Sequence, residues 1–378
     1  HTAQQHLTYG NRASNYPQWL MPTCVDKRII HQRRGVKVLF WGTPAYAVST
    51  LNALINAGQD LVGVVTQPDR RRARGKQLIP SPVKQRALEL GLPVFTPVNL
   101  RKEHDMQSCL SELQADISVV VAFGQILPRE VLSQPPFGCW NGHGSLLPRW
   151  RGAGPIQWSL LSGDANTGVG IMAMEQGLDT GPVLLQESIS IGLLENADQL
   201  ANRLSALTAR LMIEALPRIA TAGSDQESIR MNRLKVIKQE QLPGEPTYAR
   251  MLSKGDYILD WTQGVLDIHR KVMGLYPNAL TKCGGKRLKV QTTEPLIEQL
   301  RPHLSKDTQE LLGRWESGKY QPGKVIAVES ELGIVVSTND WPILIREAQL
   351  EGKNTARGCA LAQQLNTCLG SYLGDQIT

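Results

Sequence analysis

An amide and an imidazole stand two residues apart in the run Asn141-Gly142-His143-Gly144-Ser145-Leu146-Leu147-Pro148-Arg149-Trp150-Arg151-Gly152. In a strand, alternate side chains share a face, so Asn141 and His143 point the same way. That pair suits acyl transfer to an amine. As the amine attacks a carbonyl carbon, an oxyanion develops and a proton must leave the nitrogen. Asn141 can donate to the oxyanion, and His143 can donate when protonated or accept when neutral. A carboxylate downstream, Asp179 in Gly177-Leu178-Asp179-Thr180-Gly181, is placed to orient the imidazole. This chemistry needs neither a metal nor a nucleophilic Ser or Cys. Ser145 does not form a G-x-S-x-G elbow, because His143-Gly144-Ser145-Leu146-Leu147 breaks that pattern. Taken singly, each group has a plainer reading: an Asn or His satisfied by backbone, an Asp in an ordinary turn, a strand exit at Ser145 to Pro148. Their occurrence together and in this order sets them apart.

The elements that must position these groups read as a doubly wound α/β domain. Residues 36–41 form a buried-strand run ending in Gly42-Thr43-Pro44, with helical spacing over 48–57. Residues 60–65 and 117–122 are further strands, the latter nearly all apolar, as a parallel strand covered on both faces should be. Strands alternating with helices place the Asn141 run at the carboxyl ends of parallel strands, where such folds bind ligands. Gly42-Thr43-Pro44 lacks the three-glycine dinucleotide pattern, and Pro44 removes a backbone donor, so NAD binding is not expected. Residues 168–174 and 183–191 give two more strands, with Asp179 between them. Asn196 with Gln199 reads as a helix start, and Leu200, Leu204, Leu207 and Leu211 mark one apolar face, with Pro217 near the end. The expected boundaries are therefore an N-terminal extension over 1–35, a catalytic domain over 36–222, a linker over 223–250 and a second domain over 251–378. In the second domain, helical spacing from Val265 to Leu275 precedes short strand-like runs at 288–292, 324–329, 333–337 and 343–349, a pattern suited to a small β-barrel. The polar stretch 294–321 reads as an insertion between strands.

Composition bounds the class. The chain has 378 residues, 41% of them hydrophobic and 20% charged, ordinary for a globular protein of two domains. No apolar run reaches about 18 residues, so no membrane span is expected. Lys and Arg number 41 against 34 Asp and Glu, a net charge of +7 that permits a polyanionic partner without requiring one. The six cysteines, Cys24, Cys109, Cys139, Cys283, Cys359 and Cys368, show no C-x-x-C pair or zinc spacing, and no signal-peptide region is evident. They read as reduced thiols in a cytoplasmic protein. The first residues, starting at His1, carry Arg12, Lys27, Arg28, Arg33 and Arg34 against one acid, Asp26. They are expected to lie outside the fold and to be disordered, with an organelle transit peptide as the alternative.

As a set, Asn141-x-His143, the following Ser-Leu-Leu-Pro-Arg-Trp-Arg-Gly and Gly177-Leu178-Asp179-Thr180-Gly181 resemble the active site of the folate-dependent formyltransferases. The resemblance runs from about Val36 to about Gly370. It implies a Rossmann-like formyltransferase domain followed by a smaller OB-like β-barrel, and transfer of a formyl group from 10-formyltetrahydrofolate to an amine, with no metal. It implies that Asn141, His143 and Asp179 are catalytic and that Ser145, Leu146, Leu147 and Pro148 belong to the loop holding the folate. Phe123, Gly124, Ile126 and Leu127, in Phe123-Gly124-Gln125-Ile126-Leu127-Pro128, resemble the opposite wall of the pterin pocket. One departure is Gly142, where the family usually has a branched apolar residue. Its missing side chain is expected to cost about 0.5–1 kcal/mol in packing.

A second clue is cationic. Five of the seven residues from Arg70 to Lys76 carry positive charge: Arg70, Arg71, Arg72, Arg74 and Lys76. Flanking prolines favour an exposed loop. A solvated charge run is the usual meaning of such a stretch, yet beside a catalytic strand it also suits the phosphates of an RNA acceptor end. The frame from Thr66-Gln67-Pro68-Asp69 to Pro80-Ser81-Pro82-Val83-Lys84 is similar to the tRNA-contacting loop of the family members that act on methionyl-tRNA. Thr247-Tyr248-Ala249 and Gln349-x-x-Gly352-Lys353 extend that similarity into the second half. The partners this implies are initiator Met-tRNA and the folate donor, for a monomeric enzyme in which the second domain helps to hold tRNA. Two alternatives stay open at this level: a formyltransferase acting on a small amine such as an amino sugar or purine precursor, and a non-catalytic RNA-binding protein.

Overall fold

The structure is a computed structural model that describes residues 35–71 and 77–374. The expectation for residues 1–35 therefore falls almost wholly outside the described residues, as do Cys24, Arg72, Arg74 and Lys76. Strands β1 (Lys37–Gly42), β2 (Asp60–Val65), β3 (Val94–Phe95), β4 (Ile117–Val121) and β5 (Cys139–His143) run parallel. β6 (Asn166–Ala173) lies antiparallel to β5, and β7 (Val183–Ser190) lies antiparallel to β6. Together they form one sheet in the order β7-β6-β5-β4-β1-β2-β3. Its faces are covered by α1 (Ala45–Asn56), α2 (Pro82–Glu89), α3 (His104–Glu112), α4 (Arg129–Leu132), α5 (Pro155–Leu161) and α6 (Ala197–Thr221).

Alternation along β1 explains the all-apolar runs. Val38 and Phe40 join a core with Leu51 of α1 and Leu204 of α6, whereas Leu39 and Trp41 point to the other side, with Val65, Leu100 and Leu110. Both faces are buried, so beyond exposed Lys37 at its start the strand has no polar position. The start expected for α6 is present as a capping box: the Asn196 side chain accepts from the Gln199 amide and the Gln199 side chain accepts from that of Asn196. The helix continues through Pro217 to Thr221.

α6 also accounts for Gly142, which sits on β5 facing Thr208. A Cβ at Gly142 would lie 2.5 Å from Thr208 Cγ2. The Thr208 hydroxyl donates to the Leu204 carbonyl at 2.8 Å and shares a 2.9 Å hydrogen bond with the Tyr46 hydroxyl. The expected packing deficit is thus replaced by a different fit: the glycine leaves room for a polar helix residue that ties α1 to α6. Gly142→Ala should destabilise the protein by about 1–3 kcal/mol through overpacking. Thr208→Ser, which removes the clashing methyl and keeps the hydroxyl, should restore most of that in the double variant. Urea unfolding midpoints check this, and a neutral Gly142→Ala would refute it.

The segment expected as a linker contains α7 (Glu227–Leu234) and is hydrogen-bonded along the first half of the molecule. Tyr248–Ala249 pairs in parallel with Arg151–Gly152. Beyond it, α8 (Val265–Gly274) precedes β8 (Leu280–Cys283), β9 (Lys286–Pro295), β10 (Val325–Glu329), β11 (Gly333–Val336) and β12 (Ile343–Leu350), with α9 (Gly358–Leu365) after them. The strands are antiparallel, in the order β8-β9-β12-β11-β10. The chain end bridges the two outer strands: the Val325 amide donates to the Ser371 carbonyl, and the Gly374 amide to that of Lys282. The stretch 294–321 does lie between two strands, but it is not merely polar, for it buries Leu296, Leu304 and Leu311.

The reading of all six cysteines as reduced thiols is corrected here. Cys283 and Cys368 are disulfide-bonded across 85 residues, while Cys109, Cys139 and Cys359 are free. The pairing follows from the bridging chain end, which returns the residues after α9 to β8; no local spacing signals it.

α8 also joins the halves of the molecule. Buried His269 meets the Leu193 carbonyl with Nε2 at 2.7 Å and the Thr293 hydroxyl with Nδ1 at 2.8 Å. A carbonyl only accepts, so Nε2 carries the proton and the neutral ring is fully satisfied. Burial pushes the imidazole pKa down to about 4, below its ordinary value of 6.5. The unfolded chain therefore takes up a proton that the folded chain refuses. Stability present above about pH 6.5 is lost as pH falls towards 4, by about 2 kcal/mol between pH 7 and pH 5. Denaturant midpoints at the two pH values should shift more in the wild type than in His269→Gln; equal shifts would remove His269 as the cause.

Candidate active site

A cavity of about 640 Å³ opens where the loops after β1, β4 and β5 meet. Asn141, His143 and Asp179 all line it. Asn141 and His143 share one face of β5, opposite Met172 and Gly170 of β6. The loop between β6 and β7 brings Asp179 against both. Asn141 Nδ2 lies 3.4 Å from Asp179 Oδ1, and His143 Nδ1 lies 3.6 Å from Asp179 Oδ2. Gly152 N donates to Oδ2 at 2.8 Å. Asp179 holds a left-handed conformation, φ +52. Gly181, two residues on, lies so close to β6 that a Cβ would overlap the Ala173 carbonyl oxygen, which explains the glycine after the aspartate.

The imidazole is oriented from both sides. Its Nε2 lies 2.8 Å from the Trp150 carbonyl oxygen, which can only accept, so Nε2 carries a proton. Nδ1 is then the nitrogen free to gain or lose a proton, and it is the one facing Asp179. The ring is 6% exposed. Trp150 itself is in the left-handed region, φ +59, and its amide donates to Thr247 Oγ1 at 2.9 Å.

The wall formed by Phe123, Gly124, Ile126 and Leu127 lines the same cavity. Left-handed Ala122 and Gly124 turn the chain sharply beyond β4. Thr43 Oγ1 and Gln67 Nε2 donate to the Phe123 carbonyl, and Gln125 Nε2 donates to Gln67 Oε1. Phe123 and Leu127 are buried behind the surface, whereas Ile126 is 60% exposed. Ser145, Leu146, Leu147 and Pro148 are placed differently: none of them lines this cavity. Ser145 Oγ donates to the Arg149 carbonyl at 2.6 Å, and Leu147 packs with Met172 and Val183. These residues fold the loop that carries the Trp150 carbonyl to His143.

The base of the cationic loop starts at Gln67, whose Nε2 donates to the carbonyl of Phe123 in the cavity wall. Arg70–Arg71 pairs antiparallel with Leu78–Ile79, and both arginines are exposed. Lys84 Nζ holds Asp69 at 2.9 Å, which braces the base of this ribbon. Several residues at the site were not anticipated from sequence: Tyr46 and Met251 line the cavity, and Trp150 and Gly152 contact the trio through backbone atoms. Burial raises the Tyr46 hydroxyl pKa to about 12, so it faces the cavity as a neutral phenol. Among the described residues, no group of three or more His, Cys, Asp or Glu side chains is placed to hold a metal ion, and no helix is long and apolar enough to cross a membrane.

Residues 35–216 match the formyl transferase family model, and residues 251–366 match that of the formyl transferase C-terminal domain. The chain belongs to the formyl transferase family. A relative from Prochlorococcus marinus (strain MIT 9313), named methionyl-tRNA formyltransferase, is 64% identical over 89% of this chain and 98% of its own. One of the same name from Synechococcus sp. (strain WH7803) is 62% identical over 90% of this chain and 98% of its own. Among solved structures, a HypX variant from Aquifex aeolicus has a TM-score of 0.56 at 17% identity, covering 90% of this chain and 49% of that one, a likeness of fold. Membership of the formyl transferase family covers both halves of the chain, the second as well as the one that holds Asn141, His143 and Asp179.

Proposed function

We propose that this formyltransferase moves the formyl group of 10-formyltetrahydrofolate to the α-amino group of initiator methionyl-tRNA, the step that prepares it for translation initiation. The observation that carries the reading is the convergence of Asn141, His143 and Asp179 on one cavity, in a chain whose relatives bear the name methionyl-tRNA formyltransferase at 62–64% identity. The amine nitrogen attacks the formyl carbon and forms the new C–N bond. Asn141 Nδ2 and protonated His143 Nδ1 donate to the developing oxyanion. Asp179, which faces both of these nitrogens, orients His143 and takes up the amine proton, directly or through water. Collapse of the intermediate breaks the bond to the folate nitrogen, which leaves with the proton that Asp179 took from the amine.

The folate ring packs against the Phe123, Gly124, Ile126 and Leu127 wall, while Ser145 to Pro148 support the site from behind. Arg70, Arg71, Arg72, Arg74 and Lys76 engage phosphates of the acceptor arm. The catalytic domain spans 36–222, and the second domain, from 251 on, supplies further tRNA contact. The test is acceptor choice. Purified protein and labelled donor are offered charged Met-tRNA, a nucleotide-linked amino sugar and a purine-precursor amine in parallel. Label in Met-tRNA alone is expected; label in a small amine alone would overturn the reading.

A further inference from the structure

We infer that Gln239 and Arg151 form a clamp that positions Asp179, so that the segment between the two halves of the chain helps to set the geometry of transfer. The inference rests on the role of Asp179 proposed above. Gln239 is 2% exposed, and its amide has no spare capacity. Nε2 donates to the carbonyls of Asp179, at 2.7 Å, and Gly181, at 2.8 Å. Oε1 accepts from Arg151 Nε at 3.0 Å and Nη2 at 2.8 Å. Arg151 is 8% exposed, and the next peptide, Gly152 N, donates to the Asp179 carboxylate.

These bonds close a ring. From the Asp179 backbone it runs through the Gln239 side chain to the Arg151 guanidinium, along the chain to Gly152 N, and back to Asp179 Oδ2. It fixes both the main chain and the carboxylate of a residue held at φ +52. Such a conformation persists in a non-glycine residue only where its surroundings over-determine it. The segment is itself in register, since Ile237 and Val183 exchange both backbone hydrogen bonds at 2.9 Å. A side chain needed only to fill this space could be apolar; an amide with both donors on one loop and its oxygen on an arginine specifies where that loop sits.

Gln239→Glu tests this. It keeps the size and the Arg151 partner but replaces both donors with acceptors facing two carbonyls. A displacement of about 1 Å at a reacting group can cost about 100-fold, so kcat should fall by about 10- to 100-fold. KM for donor and for Met-tRNA should change by less than about twofold. In the Asp179→Ala background, Gln239→Glu should lower kcat no further, because there is no carboxylate left to misplace. Gln239→Met, which removes the same bonds without a buried charge, should follow the same pattern. Wild-type kcat in both Gln239 variants, or equal losses with and without Asp179, would reduce the clamp to a structural contact. Wild-type kcat in Asp179→Ala alone would instead remove the role of Asp179, and the inference with it.

Discussion

His143→Ala should lower kcat for formyl transfer by about 10²–10³-fold, with KM for tRNA unchanged. The size follows from losing one preorganised oxyanion donor, about 2.7–4 kcal/mol. The selectivity for kcat follows from where the charge is: the formyl oxygen becomes anionic only as the amine attacks, so the donor is worth most in the transition state. Asn141→Ala should behave alike. The double variant should lose less than the product of the two, since both donors serve one oxygen and Asp179 braces both. The Trp150 carbonyl fixes the proton on His143 Nε2, so Nδ1 is the atom proposed to donate. Steady-state kinetics at saturating donor check this, and an unchanged kcat in His143→Ala would sink the mechanism.

The second large effect belongs to the cationic loop. Replacing Arg70, Arg71, Arg72 and Arg74 together by Ala should raise KM for Met-tRNA and leave kcat at saturating tRNA nearly unchanged. Each phosphate left without its arginine takes about 0.7–0.9 from the slope of log affinity against log salt. With four arginines removed, that slope should flatten by about 3. KM measured across a salt series for wild type and variant tests it directly. Equal slopes would show that the loop is only a solvated charge run. The exposed Arg70–Arg71 stem, braced by Lys84 on Asp69, keeps its backbone pairing in the variant, so a folding defect is not expected.

Much of the first half was legible because parallel strands buried on both faces leave a simple trace. The runs at β1, β2 and β4 are mostly apolar, the antiparallel edge strand β7 ends in an alternation of exposed and half-buried residues, and the Asn196–Gln199 capping box marks the start of α6. β3 is two residues long and β8 mixes Leu, Thr, Lys and Cys, so neither carries a period. That Asn141, His143 and Asp179 would meet at one cavity was legible through chemistry and order. Their supports were not. Gln239 reaches Asp179 across 60 residues, Thr247 reaches Trp150 across 97, and His143 is held by a backbone carbonyl that no side-chain pattern encodes. The fit of Gly142 to Thr208 is likewise a tertiary match, invisible until α6 is laid on β5. For Ser145 to Pro148, the resemblance implied a folate-holding loop; none of the four lines the cavity, and Leu147 packs with Met172 and Val183.

The most direct measurement is formyl-methionyl-tRNA formed when purified protein is mixed with 10-formyltetrahydrofolate and charged initiator Met-tRNA, with elongator Met-tRNA alongside. Formylation of the initiator, little of the elongator and almost none by the His143→Ala protein is the expected result. No formylated tRNA from a protein that still binds the donor would contradict the proposed acceptor, and formylation undiminished in His143→Ala would contradict the proposed chemistry.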